Sequence, residues 1–383
     1  MNITYDRLRS TVLAHLDIES TDTGYLMQLN FMEDLNPDLL VRFFLQHDIE
    51  LLAFQNVWLL CKLATRLHYA GVPQKEFPRV KGIVKRFAVN NGRHFCVLPG
   101  VLEAFNKADV AVMLLNGTAM KACYEPAEIR YMNDIDILVN AGNVEMAGRI
   151  LEKLGFRFQG RYWGQSIYRK NDVSIAVRSV YLRANVLTGD RADIWKHSLI
   201  MTWQGKKAFV PCPEMMLLIF LAEGLEDCCT RISNSQANGF VNDFIDSKFF
   251  LTSESFRWES FIELAKKSKF ALHAHLMLDV LNQLYPGIVS DKVLEALPFT
   301  DRDVENVQRL IGYHLARKHV TDARNRQKRT EYYCNGVAAL WHLNCYYGNR
   351  NSLFSNVMDF PQFIAVWNNH RGIKGLLAKV GGY

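Results

Sequence analysis

Apolar residues change their spacing twice along this chain. From residue 1 to about 90 they recur at intervals of three and four, as in LLVRFFLQHDIELLAFQNVWLLCKLATRLHYAG, the period of an amphipathic helix. Gly71 and Pro73 close that stretch, as a C-terminal glycine and a following proline do. Between about 91 and 210 short apolar runs and alternation take over. AVMLL (Ala111 to Leu115) and IDILV read as strands, VEMAGRILEKLGF as a helix ended by Gly155, and FRFQGRYWGQSIYR and DVSIAVRSVYLR as alternating strands. From 211 the helical period returns in PEMMLLIFLAEGLEDCC, SFRWESFIELAKKSKFALHAHLMLDVLNQLY and DRDVENVQRLIGYHLARKHV. The fold class is therefore α+β. A helical region over 1–90 and a helical domain over 211–383 flank a core over 91–210, a small mixed sheet with helices.

The formal charge of +6 on 383 residues is mild. It suits an anionic substrate such as a nucleotide without calling for nucleic acid. No apolar stretch approaches the roughly 20 residues of a membrane span. The longest, MMLLIFLA (Met215 to Ala222), reads as a buried helix, so no membrane partner is expected. Acids appear by Asp6 with no continuous apolar segment, which argues against a signal peptide. The eight cysteines are scattered and form no C-x-x-C pair. That usage fits a reducing, cytoplasmic setting, with Cys228-Cys229 as buried helix surface.

The chemistry concentrates where AVMLL stops at Asn116-Gly117-Thr118 and the next strand opens with Asp134-Ile135-Asp136. Strand side chains alternate, so Asp134 and Asp136 share a face about 6.5 to 7 Å apart. Buried, unpaired acids are costly, and a divalent cation removes that cost. Mg²⁺ is usually held by one or two carboxylates together with substrate phosphates. For an isolated D-x-D, solvated edge residues are the plainer reading. The upstream turn changes that balance. Gly117 lets backbone approach a phosphate, the following helix start offers N–H groups, and Thr118 adds a hydroxyl. Arg130 can balance phosphate or pair with an acid.

These residues resemble the nucleotidyltransferase superfamily of DNA polymerase β type. The resemblance is closest to the bacterial uncharacterised nucleotidyltransferase family. The matching pattern is L-[KN]-G-[ST]-A, a loop with Y-x-P and Arg, then D-I-D-I-L-V. Asp193-Ile194-Trp195, VPCPEMMLLIFLAEG, VNDFIDSKFF and RWESFIELAKKSKF are similar to its later segments, giving coverage of roughly 90 to 280. The resemblance implies a polymerase β-like core. In it two carboxylates hold Mg²⁺ (or Mn²⁺) against a nucleoside triphosphate such as ATP, and a third acid sits on a neighbouring strand. An acceptor (small molecule, peptide, protein or RNA) attacks the α-phosphate. Asp134, Asp136 and position 176 are then catalytic, Asp134 and Asp136 ligate metal, and Asn116, Gly117, Thr118, Arg130 and Arg178 face the nucleotide.

Two positions depart from the family pattern. Asn116 stands where Lys is usual. The third acid is expected in a pattern like I-D-L-H-W, but the strand reads Ile175-Ala176-Val177-Arg178. Alternation puts Ser174, Ala176 and Arg178 on the site's face, so Ala176 takes the acid's position and Arg178 that of the His. Three readings stay open: an introduced Asp→Ala change, a version that binds or regulates without catalysing, or another acid from Asp172, Asp190 or Asp193. In the first two the chain is impaired as a catalyst. A phosphotransferase using the same metal–triphosphate arrangement is an enzyme-class alternative. His273-x-His275 reads as packing, because two-residue spacing on a helix points the rings apart. The basic segment 316–329 reads as a solvated face unless the acceptor is a polyanion.

Overall fold

The computed structural model describes residues 5–308, apart from 17–20, 33, 53, 70–77, 121–129, 163–164, 180, 182–191 and 234–238. The chain begins with helices α1 (Tyr5–Leu16), α2 (Thr21–Phe31), α3 (Pro37–Gln46), α4 (Phe54–Tyr69) and α5 (Pro78–Lys107). At the start of α3 the Asn36 side chain accepts from the Asp38 amide, and Pro37 occupies the first turn, where its missing N–H costs nothing. The 30-residue α5 is about 45 Å long and carries Pro99 within it.

The central part is β1 (Met113–Leu114), α6 (Asn116–Ala119), β2 (Ile135–Leu138), α7 (Val144–Lys153), β3 (Arg157–Tyr162), β4 (Gln165–Lys170), β5 (Val173–Arg178), α8 (Ala192–Lys196), β6 (Ser198–Trp203) and β7 (Lys206–Pro211). The strands form one seven-stranded sheet in the order β3-β4-β5-β2-β1-β7-β6. β2 pairs with β5, and β1 with β7, in parallel. The remaining pairs are antiparallel, so the sheet is mixed, as the alternating segments predict. The β6–β7 hairpin turns on Gln204 and Gly205, both at positive φ, and was not legible in the apolar spacing. Its β6 residues Leu199 and Ile200 are exposed, so no buried face imposes the alternation that marks a strand.

The chain then returns to helices: α9 (Pro213–Ser233), α10 (Gly239–Leu251), α11 (Trp258–Lys267), α12 (Ala271–Leu284) and α13 (Asp291–Glu295). Every residue from Met215 to Ala222 is buried, as the uniformly apolar run requires. α9 packs against α1, α10, α11, α12 and β7, at the centre of the helical layer. Tyr5 Oη and Arg9 Nε both donate to Asp279 Oδ2 on α12, at 2.9 and 2.5 Å, tying the first helix to a late one. His273 and His275 are separate packing groups. His273 is buried edge-on to Phe270, and its burial lowers its pKa to about 4; the His275 ring meets the carbonyls of Leu294 and Leu297. No described helix is long and apolar enough to cross a membrane. The basic segment 316–329 lies outside the described residues.

Candidate active site

β1 ends at Leu114, and the Leu115 amide donates to the Asp136 carbonyl at 3.1 Å, so the turn after β1 lies directly against β2. Asn116 then takes φ 47°, a left-handed conformation that Asn tolerates better than most residues. This brings its side chain back over β2. Asn116, Gly117 and Thr118 are all buried.

Gly117 is required by close approach. A Cβ there would sit 2.3 Å from Arg130 Nη1 and 2.8 Å from Met132 Cγ. The sequence assigns that free space to a phosphate; the structure fills it with Arg130 and Met132. Arg130 is in turn fixed by Asp246 of α10, whose Oδ2 accepts from Nε and Nη2, each at 2.6 Å. α5 holds the same segment by its backbone. Asn90 Nδ2 donates to the Met132 carbonyl at 2.7 Å, and Asn91 Nδ2 donates to the Arg130 carbonyl. Of the two roles open to Arg130, it takes the pairing with an acid, and the acid is remote in sequence.

Asp134 immediately precedes β2 and is partly exposed, whereas Asp136 is buried. In the parallel β2–β5 register Asp136 lies opposite Ala176, which is fully buried. The position expected to carry an acid is therefore beside Asp136, and it carries a methyl group. Arg178, two residues on, reaches back instead: Nη2 donates to Asp136 Oδ1 at 2.7 Å, and Nη1 donates to Glu223 Oε1 at 2.6 Å. Asn116 Nδ2 donates to the other oxygen of each acid, Asp136 Oδ2 at 3.1 Å and Glu223 Oε2 at 3.0 Å. The four side chains close a buried ring in which two donors each bridge the same two carboxylates.

Glu223 was not anticipated from the sequence. The signal was present: an acid following eight apolar residues on a helix expected to be buried must find a partner. Asp246 in VNDFIDSKFF gives the same signal. Of the other acids weighed for this role, Asp172 stands at the turn before β5, exposed and bonded to Arg93 at 2.7 Å. Asp190 and the side chain of Asp193 lie outside the described residues.

The donor set bears on how a metal would be held. Among the described residues no group of three His, Cys, Asp or Glu side chains is placed to bind one. Asp134 and Asp136 are hard oxygen donors suited to Mg²⁺ when substrate phosphates complete its shell. Asn116 Oδ1 and Thr118 Oγ1 are buried with no hydrogen-bond partner among the described residues, which fits a ligand arriving at this turn. The residues thus fit a cation that comes with its nucleotide better than one held by protein alone. A family model described as uncharacterised nucleotidyltransferase matches residues 33–286. No curated protein and no solved structure matches the chain.

Proposed function

The chain belongs to the uncharacterised nucleotidyltransferase family, and from that premise we propose that it moves a nucleoside monophosphate from a nucleoside triphosphate to an acceptor on a polymerase β-type core. The observation that carries this reading is the position of Asp134 and Asp136 at the head of β2, against the Asn116–Thr118 turn. In this reading Asp134 and Asp136 take Mg²⁺ or Mn²⁺ with the triphosphate. The cation, when bound, supplies charge stabilisation at the attacking and leaving oxygens. Asn116 Oδ1 and Thr118 Oγ1, without partners among the described residues, orient the incoming group. Glu223 brings from α9 the carboxylate that β5 lacks at Ala176, and Arg178 orients Asp136.

One observation favours a second reading. The Arg178 guanidinium already bridges Asp136 and Glu223, as a cation would. A protein built this way can bind nucleotide and turn it over slowly or not at all.

Incubation with α- and γ-³²P-labelled triphosphates and Mg²⁺ separates the cases. Label from the α position on an acceptor or on the protein supports nucleotidyl transfer, and γ label indicates a phosphotransferase. Metal-dependent binding without transfer is the second reading. Ala176→Asp separates the two readings: it should raise α-label transfer at least about a hundredfold if Glu223 stays committed to Arg178 and the site lacks its third acid, and change it little if Glu223 supplies that acid. Undiminished metal-dependent nucleotide binding by both Asp134→Asn and Asp136→Asn would overturn the assignment.

A further inference from the structure

A cleft of about 990 Å³ opens beside this site, between α5 and the turn end of the β4–β5 hairpin together with the segment before β2. Its volume is at the upper end for small-molecule pockets. Lys85, Arg86 and Arg93 line it from α5 and Arg169 from β4; among the described residues Asp172 is its one lining carboxylate. Asp172 is already bonded to Arg93 at 2.7 Å. Lys85, Arg86 and Arg169 are exposed. Residues 82, 85, 86, 89, 90 and 93 all line the cleft, the three- and four-residue spacing of one helix face. One face of α5 thus presents its cations to a single cavity.

The cleft reaches the candidate metal site. Ser174 of β5 lines it, as do Tyr131 and Asn133, the latter adjacent to Asp134. Asp136 is level with Ala176, so two residues earlier Asp134 comes level with Ser174 if the register is continued. Tyr131, three residues before Asp134, also lines the cleft with Arg86. Val57, Ile83 and Val89 give the cavity an apolar flank.

We propose that this cleft seats the acceptor, and that the acceptor is a small molecule bearing a phosphate or similar anionic group. Lys85, Arg86 and Arg169 bind the anion, and the nucleophilic end lies toward Asp134. This inference rests on the nucleotidyltransferase reading. Charge supports it: among the described lining residues Arg93 is paired with Asp172, and Lys85, Arg86 and Arg169 remain as an excess of positive charge that attracts an anion, whereas a neutral sugar or a cationic amine gains nothing from them. Size suits a small molecule, because a cleft of about 990 Å³ is on the scale of small-molecule sites.

Equilibrium dialysis of the full chain tests it with inorganic phosphate as probe, first in EDTA and then with a saturating α,β-methylene ATP analogue and Mg²⁺. Phosphate should bind in EDTA, and the double variant Lys85→Glu/Arg86→Glu should bind it at least about tenfold more weakly. Both positions are exposed, and circular dichroism of the variant checks that it folds. Asp134→Asn should leave phosphate affinity unchanged or improved, since a neighbouring negative charge is removed. Phosphate retained in the presence of the analogue supports a separate acceptor seat. Phosphate displaced one-for-one by the analogue would show that the cleft holds the triphosphate itself and would overturn the proposal. So would binding that ignores the charge reversal, or no binding. Failure of the analogue to bind, with phosphate binding intact, would strike the nucleotidyltransferase reading alone.

Discussion

Arg130 and Arg178 flank the same turn, both buried, both bonded to carboxylates, and they do different work. Arg130 meets Asp246 through two nitrogens and packs over Gly117. Nothing in that pair belongs to β2. Arg178 meets two acids, one of which is the candidate ligand Asp136. The first pair holds the turn in shape. The second sets the charge of the site. A buried guanidinium is therefore informative only once its partners are known.

The comparison breaks most visibly at Arg130. Arg130→Met should destabilise the protein by about 3 to 5 kcal/mol, because it breaks a two-nitrogen pair with the fully buried Asp246. Thermal or urea unfolding measures the loss, and Mg²⁺ or Mn²⁺ should not restore it. Full recovery with metal would mean that Arg130 belongs to the site after all.

Arg178→Met should give a loss of roughly 3 kcal/mol in EDTA by the same reasoning, but Asp136 and Glu223 would then stand together without their cation. Mn²⁺ should recover most of that loss, with tighter Mn²⁺ binding than the unaltered chain when read by electron paramagnetic resonance. If Mn²⁺ binds no better to the variant, Arg178 is not occupying a cation's place.

The smallest effect is expected at the exposed Arg93–Asp172 pair. Asp172→Ala should change stability by less than about 1 kcal/mol, as surface pairs do, and should leave nucleotide affinity unchanged. A large loss of metal-dependent nucleotide binding would return Asp172 to the list of ligands.

These pairs also mark what the sequence could and could not tell. The helical runs, the β2 and β5 strands and the buried MMLLIFLA helix follow from local spacing, because burial of one face imposes a period on neighbouring residues. The Asp134–Asp136 motif and the turn at Asn116 are likewise local. Glu223 lies 107 residues from Asn116, and Asp246 lies 116 from Arg130. No period connects such partners; only the packing of α9 and α10 beneath the turn brings them together. The cleft is legible in part. Lys85, Arg86 and Arg93 of α5 fall on one helix face in the sequence, but that this face looks onto β5 and the segment before β2 is a tertiary fact.

The Asn116–Asp136–Arg178–Glu223 ring has a consequence for how change at this site accumulates. The resemblance leads to the expectation of a cation before the glycine and an acid on the strand beside Asp136. Here the cation stands at 178 and the acid at 223, while 116 and 176 are neutral. Because Asn116, Arg178 and Glu223 all converge on or around Asp136, replacements among them are not additive. Asn116→Lys alone puts a second cation into the ring, and Arg178→His alone weakens the countercharge of two acids. Positions 116, 178 and 223 therefore act as one unit around Asp136, and the effect of a change at one depends on what stands at the others.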